Sequence, residues 1–599
     1  MIVTSHNSPR LSLRRPGTYN PTDRGPLSST SSRFNFNHLV FSPPPSPSLP
    51  ALIPRHGRPA PARTQRRFFR GCIWLFGVLV ILYFGFSRVR LEYPVHQVGW
   101  GNHADDQFEM VGDAVLPDFP TAVVVTDLRG RTKWTVSIPQ DHVFPLKPAQ
   151  YAEISNQCMK VANHVGDLHA HKTVVHVAHY GYYHVDSNFM DVDEAEAHGL
   201  LPGTNGEAIK DQQHRPLVGE IGKGAVESDV CKKSMTFVLE THDAGLGNTL
   251  MMLWTAYGLA QKEGRAFFID DSRWVYGNYT SYFQPPPLPA CRPPPRHQML
   301  PCPHHARHLV VSAATVSSTF GGMFNEEFED PRKMEVFRQK PIFELAHVGY
   351  DALFNLSETD ASYVNDRVTE LKAKATTGKD RGLIVGVHVR HGDRHPIDFQ
   401  YRESYIPLNL YSDKAHELIG QSSNVSTLKK HSIMVVASDD PDVYEAEEFS
   451  ASYRAQEQIR LASKSVISSE STERSAEAIH PFSEETVGWE GGFFAGMFWS
   501  LGRPSAPGTA NAVQGEIDRN AEPTEESLRL REFVGRAYLM DLAVLGQASD
   551  SIICTVSSMG CRLLGVMMGW EEAIVEVSKN NGKGWWNVDG NFEWRGIRW

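Results

Sequence analysis

The stretch from Gly382 to Pro396 constrains the fold more than any other part of the chain. Its first half, Leu383 to Val389, is an almost unbroken apolar run, which is typical of a parallel β-strand covered on both faces. Arg390 follows this strand directly, and open α/β sheets bind ligands at the carboxyl ends of their strands. A guanidinium group there can bond two oxygens of a diphosphate at once. The alternative is a structural ion pair at the end of the strand.

Length and charge limit the class of protein. The chain has 599 residues, which exceeds one ordinary domain, and 41% of them are apolar. Residues 1–70 hold eleven Arg, no Lys and a single acidic residue, so that segment carries +10 and the remainder −20. An acidic folded part argues against nucleic-acid binding. Six of the seven Cys lie beyond residue 87, an even number that permits three disulfides.

The N-terminal region predicts a membrane anchor behind a disordered tail. Residues 1–66 are rich in Pro, Ser and Arg, so we expect a disordered cytoplasmic tail. Gly71–Phe86 is sixteen residues without a charge, and within 67–87 it is long enough to cross a bilayer as a signal-anchor. Arg residues cluster before it, so the positive-inside rule places the N-terminus in the cytoplasm. A cleaved signal peptide is the alternative.

This topology would make the rest of the chain lumenal or extracellular, as in a single-pass type II protein. Three glycosylation sequons agree with that placement, at Asn278, Asn355 and Asn424. We interpret residues 88–145 as a stem that contains a small β element at Thr121–Ile138. The spacing of apolar residues after it predicts a helix over Pro148–Val165.

A strand, a Gly-containing loop, a helix and a second strand then indicate the start of a doubly wound α/β layer. The segments are Ser234–Glu240, Thr249–Glu263 and Ala266–Ile269. Gly245 and Gly247 in the loop would let the backbone approach a ligand, and the free N–H groups of the helix start could bind an anion. A plain tight turn is the alternative.

A further buried strand is predicted at Ile433–Ala437, and acidic residues follow it. The carboxylates of Asp439 and Asp440 could accept hydrogen bonds from a ribose or a base. One of them could instead cap a helix over Asp442–Phe449, and both roles can hold at once.

The last part of the chain predicts a long helix at Glu526–Gly546 and a strand at Asp550–Thr555. Two hydroxyl side chains and a cation stand at the start of the next helix: Ser557, Ser558 and Arg562. Together with that helix start they would form an anion cradle. Two low-complexity insertions are predicted at about 463–487 and 503–527.

A Pro-rich segment at Pro285–Pro295 lies near several possible metal ligands. It is bounded by Cys291 and Cys302, and four imidazoles are close in sequence: His297, His304, His305 and His308. Their spacing matches no metal-site template. We therefore favour an exposed loop stapled by a disulfide over a metal site.

Three separated blocks resemble one family, the α-1,6-fucosyltransferases and the related bacterial nodulation fucosyltransferases. The run His-Val-Arg-His-Gly-Asp-Arg from His388 is similar to their first motif, His-Val-Arg-Arg-Thr-Asp-Lys. Ala437–Pro441 resembles their second motif, and Asp541–Arg562 resembles their third, including two Cys and the Arg that follows them. The blocks keep their order and rough spacing over residues 231–280 and 381–570.

The resemblance implies an α/β fold of GT-B type with two Rossmann-like domains, an acceptor-side domain over 146–375 and a donor-binding domain over 376–599. It also implies an inverting transfer of fucose from GDP-fucose to a glycan or glycoprotein, without a metal, at the Golgi membrane. A protein O-fucosyltransferase or another nucleotide-sugar transferase is the nearest alternative. A catalytically inactive, membrane-tethered glycan-binding or scaffold protein is an alternative of another class.

The family motifs also imply roles for single positions. Arg390 would contact the donor β-phosphate with Arg394 beside it, and Asp398 matches an acidic residue proposed as the base. Glu403 and His388 are the other candidates for that base. The implied donor site comprises His388, Asp393, Gly245, Gly247, Asn248, Asp439, Asp440, Asp541, Ser557, Ser558 and Arg562.

Two positions of the first motif differ from the family, because His391 replaces its second Arg and Arg394 its Lys. A disulfide between Cys554 and Cys561 would hold the Ser-Ser loop rigid. The acceptor, the linkage, the pairing of the other Cys and the oligomeric state stay open.

Overall fold

The structure is a computed structural model that describes residues 116–139, 142–169, 181–201, 216–218, 229–240, 245–377, 380–391, 405–422, 431–460, 523–578, 582–589 and 593–597. The predicted tail, the predicted anchor, the first insertion and most of the second lie outside these ranges. Five predicted residues also lie outside them: Asp393, Arg394, Asp398, Glu403 and Asn424. Within the described ranges, no helix combines the length and apolar composition needed to cross a bilayer.

The described residues form twelve β-strands in four sheets. In chain order the strands are β1 (Thr121–Thr126), β2 (Thr132–Ser137), β3 (Ser234–Val238), β4 (Ala266–Asp270), β5 (His308–Val311), β6 (Thr376–Thr377), β7 (Asp380–Arg381), β8 (Ile384–Val389), β9 (Ile433–Ser438), β10 (Tyr453–Arg454), β11 (Ser551–Cys554) and β12 (Gly584–Asn587).

Eleven α-helices occur in the same ranges. They are α1 (Pro148–His169), α2 (Val192–Ala197), α3 (Leu246–Lys262), α4 (Val316–Phe320), α5 (Gly322–Phe328), α6 (Lys340–Leu353), α7 (Glu358–Lys374), α8 (Leu408–Ser422), α9 (Glu525–Ala548), α10 (Met559–Met568) and α11 (Glu576–Ser578). Short 3-10 turns lie at Tyr279–Ser281, Arg296–Gln298, Glu335–Gln339, Pro441–Glu445 and Glu447–Phe449, and a π-turn at Glu571–Val575.

Two of the sheets are wholly parallel and confirm the predicted α/β class. The smaller has the strand order β4-β3-β5, and the larger has the order β10-β9-β8-β11-β12. Every residue of β3, β8 and β11 is buried. Their continuous apolar runs follow from this burial, because a parallel sheet is covered on both faces.

The strand order of the larger sheet reverses beside β8. The chain proceeds from β8 through β9 to β10 and then returns to β11 on the other side of β8. Such a reversal leaves a crevice at the carboxyl ends of the two strands that flank it. The residues from His388 to His391 therefore lie at the topological switch point.

Side chains of β8 alternate between two helical layers, as the two-residue period of a strand requires. Val385, Val387 and Val389 pack on the side of α8. On the opposite side of β8, a Cβ added to Gly386 would lie 2.4 Å from a hydroxyl in the turn after α9. The ring of His388 is on this side too, because a Cβ added to Gly560 of α10 would lie 2.8 Å from it. The alternation therefore points His388 at the start of α10.

One core joins helices that belong to both parallel sheets. Within it, α3 and α6 cross so closely that a Cβ on Gly258 would lie 2.0 Å from the carbonyl oxygen of Leu345. A Cβ on Gly349 would lie 2.1 Å from the carbonyl oxygen of Trp254. No side chain fits at either position, so the crossing requires glycine on each helix.

The other face of the smaller sheet is covered by α1 and the hairpin β1–β2, which form a second core. This confirms the predicted helix from Pro148 and the β element at Thr121–Ile138. The hairpin lies inside the range 88–145 that the sequence assigns to a stem, and its Trp134 is almost completely buried. The folded body therefore begins within that range.

Two disulfides tie the Pro-rich segment to its surroundings. Cys291 pairs with Cys231, just before β3, and Cys302 pairs with Cys158 of α1. The two Cys that bound the segment therefore staple it to other elements and not to each other.

The imidazoles near this segment contact different partners. His297 lies 2.8 Å from Glu196, His304 lies 2.8 Å from Glu263, and His308 lies 3.0 Å from the hydroxyl of Ser234. Their nitrogens therefore hold separate elements together.

The crossing of α3 and α6 predicts opposite effects for two glycine substitutions. Gly258→Ala should lower the thermal unfolding midpoint, because a methyl group forced against backbone costs roughly 1–3 kcal/mol. Gly166→Ala is the matched control, since Gly166 lies in α1 with nothing within 4 Å of its added Cβ. There alanine should stabilise the helix by about 0.5–1 kcal/mol. Calorimetric midpoints that shift in the same direction for both variants would contradict the crossing.

Candidate active site

The first turns of α3 and α10 meet at the candidate site. A Cβ on Gly247 would lie 3.2 Å from the Cβ of Met559, the first residue of α10, and 2.8 Å from the hydroxyl of Tyr538 in α9. A Cβ on Gly560 would lie 3.1 Å from the same hydroxyl and 2.8 Å from the ring of His388. Two helix starts, one from each parallel sheet, therefore converge beside the end of β8.

This convergence concentrates positive charge. The first N–H groups of a helix have no partner within it, and its start carries about half a positive charge. Arg390 adds a full positive charge. Burial raises the pKa of Tyr538 and of Tyr276, which follows β4, and the charge of Arg390 opposes this rise. The absent side chains of Gly247 and Gly560 let the two helix starts, the hydroxyl of Tyr538 and the ring of His388 pack this closely. This place is suited to an anion.

His388 stays neutral in the middle of this charge. Burial lowers the pKa of His388 to about 3, and the adjacent charge of Arg390 adds to the effect. Its Nδ1 atom is buried without a hydrogen-bond partner. The ring can therefore exchange hydrogen bonds with a ligand but carries no charge of its own.

The loop between β11 and α10 is held from three sides. The backbone N–H of Val556 donates to Oδ1 of Asn587 at 2.9 Å, and that of Ser557 donates to Oδ2 of Asp589 at 2.9 Å. Nε of Arg562 donates to the carbonyl oxygen of Val556 at 2.7 Å. At this atom Arg562 braces the loop, whereas the sequence predicted it as part of the anion cradle.

The same loop is closed by a disulfide between Cys554 and Cys561, which confirms the predicted pair. Ser558 precedes α10 at its N-cap position but makes no side-chain capping bond. The hydroxyls of Ser557 and Ser558 are both buried without a partner. A rigid loop therefore carries two hydroxyls that are available to a ligand.

Two carboxyls follow β9 and have different environments. Oδ1 of Asp440 accepts from the backbone N–H of Asp442 at 3.0 Å, so it caps the 3-10 turn that replaces the predicted helix. Oδ1 of Asp439 accepts from the backbone N–H of His391 at 2.7 Å, while its Oδ2 has no partner. Burial raises the pKa of Asp439, and the charge of Arg390 opposes that rise.

His391 is held at both its ring and its backbone. Its Nδ1 lies 3.1 Å from Oδ2 of Asp440. Its ring stacks on Tyr405, with centroids 4.1 Å apart and planes inclined by 9°. Its Nε2 is buried without a partner. The ring is thus fixed in place with one nitrogen unused.

Asp541 lies one helical turn after Tyr538 in α9 and is buried. Neither of its carboxylate oxygens has a hydrogen bond of good geometry. Burial raises its pKa well above the ordinary value, against the opposing effects of the nearby Gln456 backbone N–H and of Arg454. Burial therefore favours the protonated form of this carboxyl, in which it can donate a hydrogen bond.

Unpartnered polar atoms are concentrated at this site. Among the described residues, fourteen buried side-chain nitrogen and oxygen atoms lack a hydrogen-bond partner, and nine of them lie here. They belong to His388, His391, Asp439, Tyr538, Asp541, Ser557, Ser558 and Asp589. Buried polar groups in folded proteins are normally paired, so such a concentration indicates a site for a polar ligand.

Most of the site residues predicted within the described ranges lie in this region. Gly245 caps α3, and Gly247 and Asn248 lie in its first turn. The sequence analysis did not identify Tyr538 or Asp589. Tyr538 could have been found, because it precedes Asp541 by three residues and therefore shares its helix face.

Other predicted features belong to the surface. The sequon residues Asn278 and Asn355 are exposed, and their glycosylation stays a prediction.

In the part of the chain that the structure describes, no group of three or more His, Cys, Asp or Glu side chains is placed to bind a metal ion.

No family model and no curated protein sequence matches the chain. Solved structures that are similar include NodZ α-1,6-fucosyltransferase co-crystallised with GDP, at 13% identity over 55% of this chain and 92% of that one, with a TM-score of 0.25. Fucosyltransferase NodZ from Bradyrhizobium is similar at 13% identity over 56% and 92%, with a TM-score of 0.26. At TM-scores this low, the similarity carries no conclusion about the function of this chain.

The neutral His388 predicts a specific pH dependence of stability. Its pKa falls from 6.5 to about 3 on folding, so below pH 6.5 the unfolded chain binds a proton that the folded chain does not. The contribution of the neutral His388 ring to the free energy of unfolding is complete above pH 6.5 and is lost as the pH falls towards 3. His388→Gln should flatten this fall by up to about 1.4 kcal/mol per pH unit.

Thermal unfolding midpoints between pH 8 and pH 4 would measure this difference. His416→Gln is the control, because His416 is exposed on α8, and it should follow the wild-type curve. Parallel curves for the wild type and His388→Gln would show that His388 does not cause the pH dependence.

Proposed function

We propose that this chain is a membrane-anchored glycosyltransferase that transfers fucose from GDP-fucose, with inversion, to a glycan or glycoprotein. One observation carries the proposal: the starts of α3 and α10 meet beside Arg390 and a loop with two unpartnered hydroxyls. This arrangement suits a diphosphate, which offers several anionic oxygens to backbone N–H groups, hydroxyls and a guanidinium.

The nucleoside would lie towards the end of β9. Asp439 keeps one oxygen unpartnered, and Asp541 keeps a buried protonated carboxyl. One can accept a hydrogen bond and the other can donate one. The sequence also predicted Asp440 here, but its two oxygens already face Asp442 and His391, which makes it the weaker candidate.

The charges of the site match the chemistry of the reaction. When the bond between the sugar and the diphosphate breaks, negative charge develops on the β-phosphate oxygen. The two helix starts and Arg390 are already in place to stabilise that charge, and fixed dipoles need no reorganisation during the reaction. We propose that these groups do the work of a metal ion in other transferases.

The identity of the sugar and of the nucleotide rests on the sequence motifs. The first and second motifs contribute His388, Arg390 and Asp439, and the third contributes Asp541 and Ser558, so the blocks that resemble fucosyltransferases supply this site. We propose that the two parallel sheets belong to the two halves of a GT-B-type enzyme. Residues 71–86 would anchor it in the Golgi membrane, and its three disulfides suit the oxidising lumen.

Calorimetric titration of the full-length chain tests the donor. EDTA should change neither the affinity for GDP nor the affinity for GDP-fucose, whereas UDP-sugars should bind weakly. Tight binding of GDP-mannose but not GDP-fucose would favour another nucleotide-sugar transferase. Binding of GDP-fucose without turnover would favour an inactive glycan-binding protein. A folded chain that binds no nucleotide would overturn the proposal.

Arg390→Ala should abolish fucosyl transfer while the chain stays folded. Its affinity for GDP should fall about ten- to a hundredfold, because a hydrogen bond to a charged group contributes about 1.5–3 kcal/mol. Arg332→Ala, an exposed position remote from the site, is the matched control and should behave as wild type. Near-normal turnover by folded Arg390→Ala would exclude this role.

A further inference from the structure

The pair formed by His391 and Asp440 lies beside the proposed diphosphate contacts and is not one of them. Carboxylates accept hydrogen bonds and do not donate them, so the 3.1 Å contact with Oδ2 of Asp440 places the proton of the neutral ring on Nδ1. Nε2 then carries the lone pair. This nitrogen is buried and has no partner, so the ring presents a proton acceptor at the site.

Each neighbour of His391 keeps the ring in this orientation. Tyr405 fixes its plane by stacking at 4.1 Å. The backbone N–H of Asp442 holds the other oxygen of Asp440, so the carboxylate itself cannot rotate freely. The backbone N–H of His391 is bound to Asp439 at 2.7 Å. A carboxylate that holds one imidazole nitrogen while the other accepts a proton is a recurrent arrangement of general bases.

Other ionisable groups of the site are less suited to take a proton. His388 binds a proton only near pH 3, because it is buried beside Arg390. Burial raises the pKa of Asp541 well above the ordinary value, which favours the form that already carries a proton. Asp439 lies against Arg390 and the backbone of His391. Among the described residues, His391 therefore combines an unused acceptor atom with a fixed orientation.

We propose that His391 is the general base of the transfer reaction, with Asp440 as its positioning residue. This inference rests on the proposed function. Nε2 takes the proton of the acceptor hydroxyl while the acceptor oxygen forms a bond to the anomeric carbon of fucose. The bond from that carbon to the β-phosphate oxygen breaks, and its electron pair leaves with GDP. The imidazolium then returns its proton to solvent.

The charged groups that face His391 set the expected pH behaviour. Asp439 and Asp440 approach it from the end of β9, Arg390 precedes it just after β8, and Tyr405 stacks on it. The carboxylate of Asp440 favours the imidazolium that forms during the reaction. Its replacement by an amide removes this charge, which should move the acidic limb of the rate profile to lower pH.

The test uses the full-length chain, GDP-fucose as the donor and water as the acceptor. His391→Gln should lower kcat for fucose release by about 10²–10⁴-fold, the usual contribution of a general base. The affinity for GDP should stay within threefold of wild type, which also shows that the variant is folded. Asp440→Asn should lower kcat and shift the acidic limb, as derived above. His416→Gln should match the wild type in both measurements.

Azide separates a base from a structural role. It is an anion and attacks without losing a proton, so it needs no general base. With azide, His391→Gln should form fucosyl azide of inverted configuration at a rate within about threefold of the wild type. The reaction with azide does not need the 10²–10⁴-fold rate enhancement that a general base contributes. A variant that stays equally slow with azide would show that His391 positions the donor and would overturn the inference.

The outcomes also separate this inference from the function on which it rests. A wild-type chain that releases no fucose from GDP-fucose to either nucleophile overturns both. If the wild type is active and His391→Gln reacts at the wild-type rate, only the role of His391 is overturned. A loss of GDP affinity that matches the loss of rate would assign the imidazole to nucleotide binding and would also overturn it.

Discussion

The contact between the first turns of α3 and α10 is the constraint on which the site depends. Two helix starts carry partial positive charges, and bringing them together beside Arg390 is unfavourable unless an anion or a fixed dipole compensates. Glycine at 247 and 560 makes the contact sterically possible, and the hydroxyl of Tyr538 lies between them. Burial keeps His388 neutral, and the charge of Arg390 adds to this effect. Packing and electrostatics therefore lead to one conclusion, a place that is stabilised when an anion occupies it.

Cationic groups and carboxyl groups come from different elements of the crevice, and Asp439 and Arg390 meet between them. Helix starts and Arg390 lie at one end, whereas Asp439, Asp440 and Asp541 follow β9 or face it from α9. A nucleotide sugar has the same polarity, with a charged diphosphate beside an uncharged base that needs both donors and acceptors. The separation follows from topology, because the switch point places the end of β8 between the cationic loop of β11 and the acidic end of β9.

The parallel strands and long helices could be predicted from the sequence, because continuous burial and helical periodicity leave direct patterns in it. The predictions for β3, β8, β9, β11, α1, α3 and α9 agree with the structure to within a few residues. The prediction of a helix over Asp442–Phe449 was wrong, because capping residues specify where a helical turn starts but not whether it continues beyond one turn. Asp589 escaped prediction because only tertiary packing brings the end of β12 to the loop after β11, whereas the helical spacing of Tyr538 and Asp541 was a signal in the sequence. Disulfide partners remained open for the same reason.

The departure of His391 from the family motif is explained by the geometry around it. An Arg at this position would add a fourth source of positive charge to a site where Arg390 and two helix starts already act. His391 instead forms a pair with Asp440, stacks on Tyr405 and leaves one nitrogen unused. The cationic groups that we propose for a diphosphate come from Arg390 and the two helix starts, so the substitution leaves them in place. What it adds is a buried ring nitrogen without a partner, held in a fixed orientation next to Arg390.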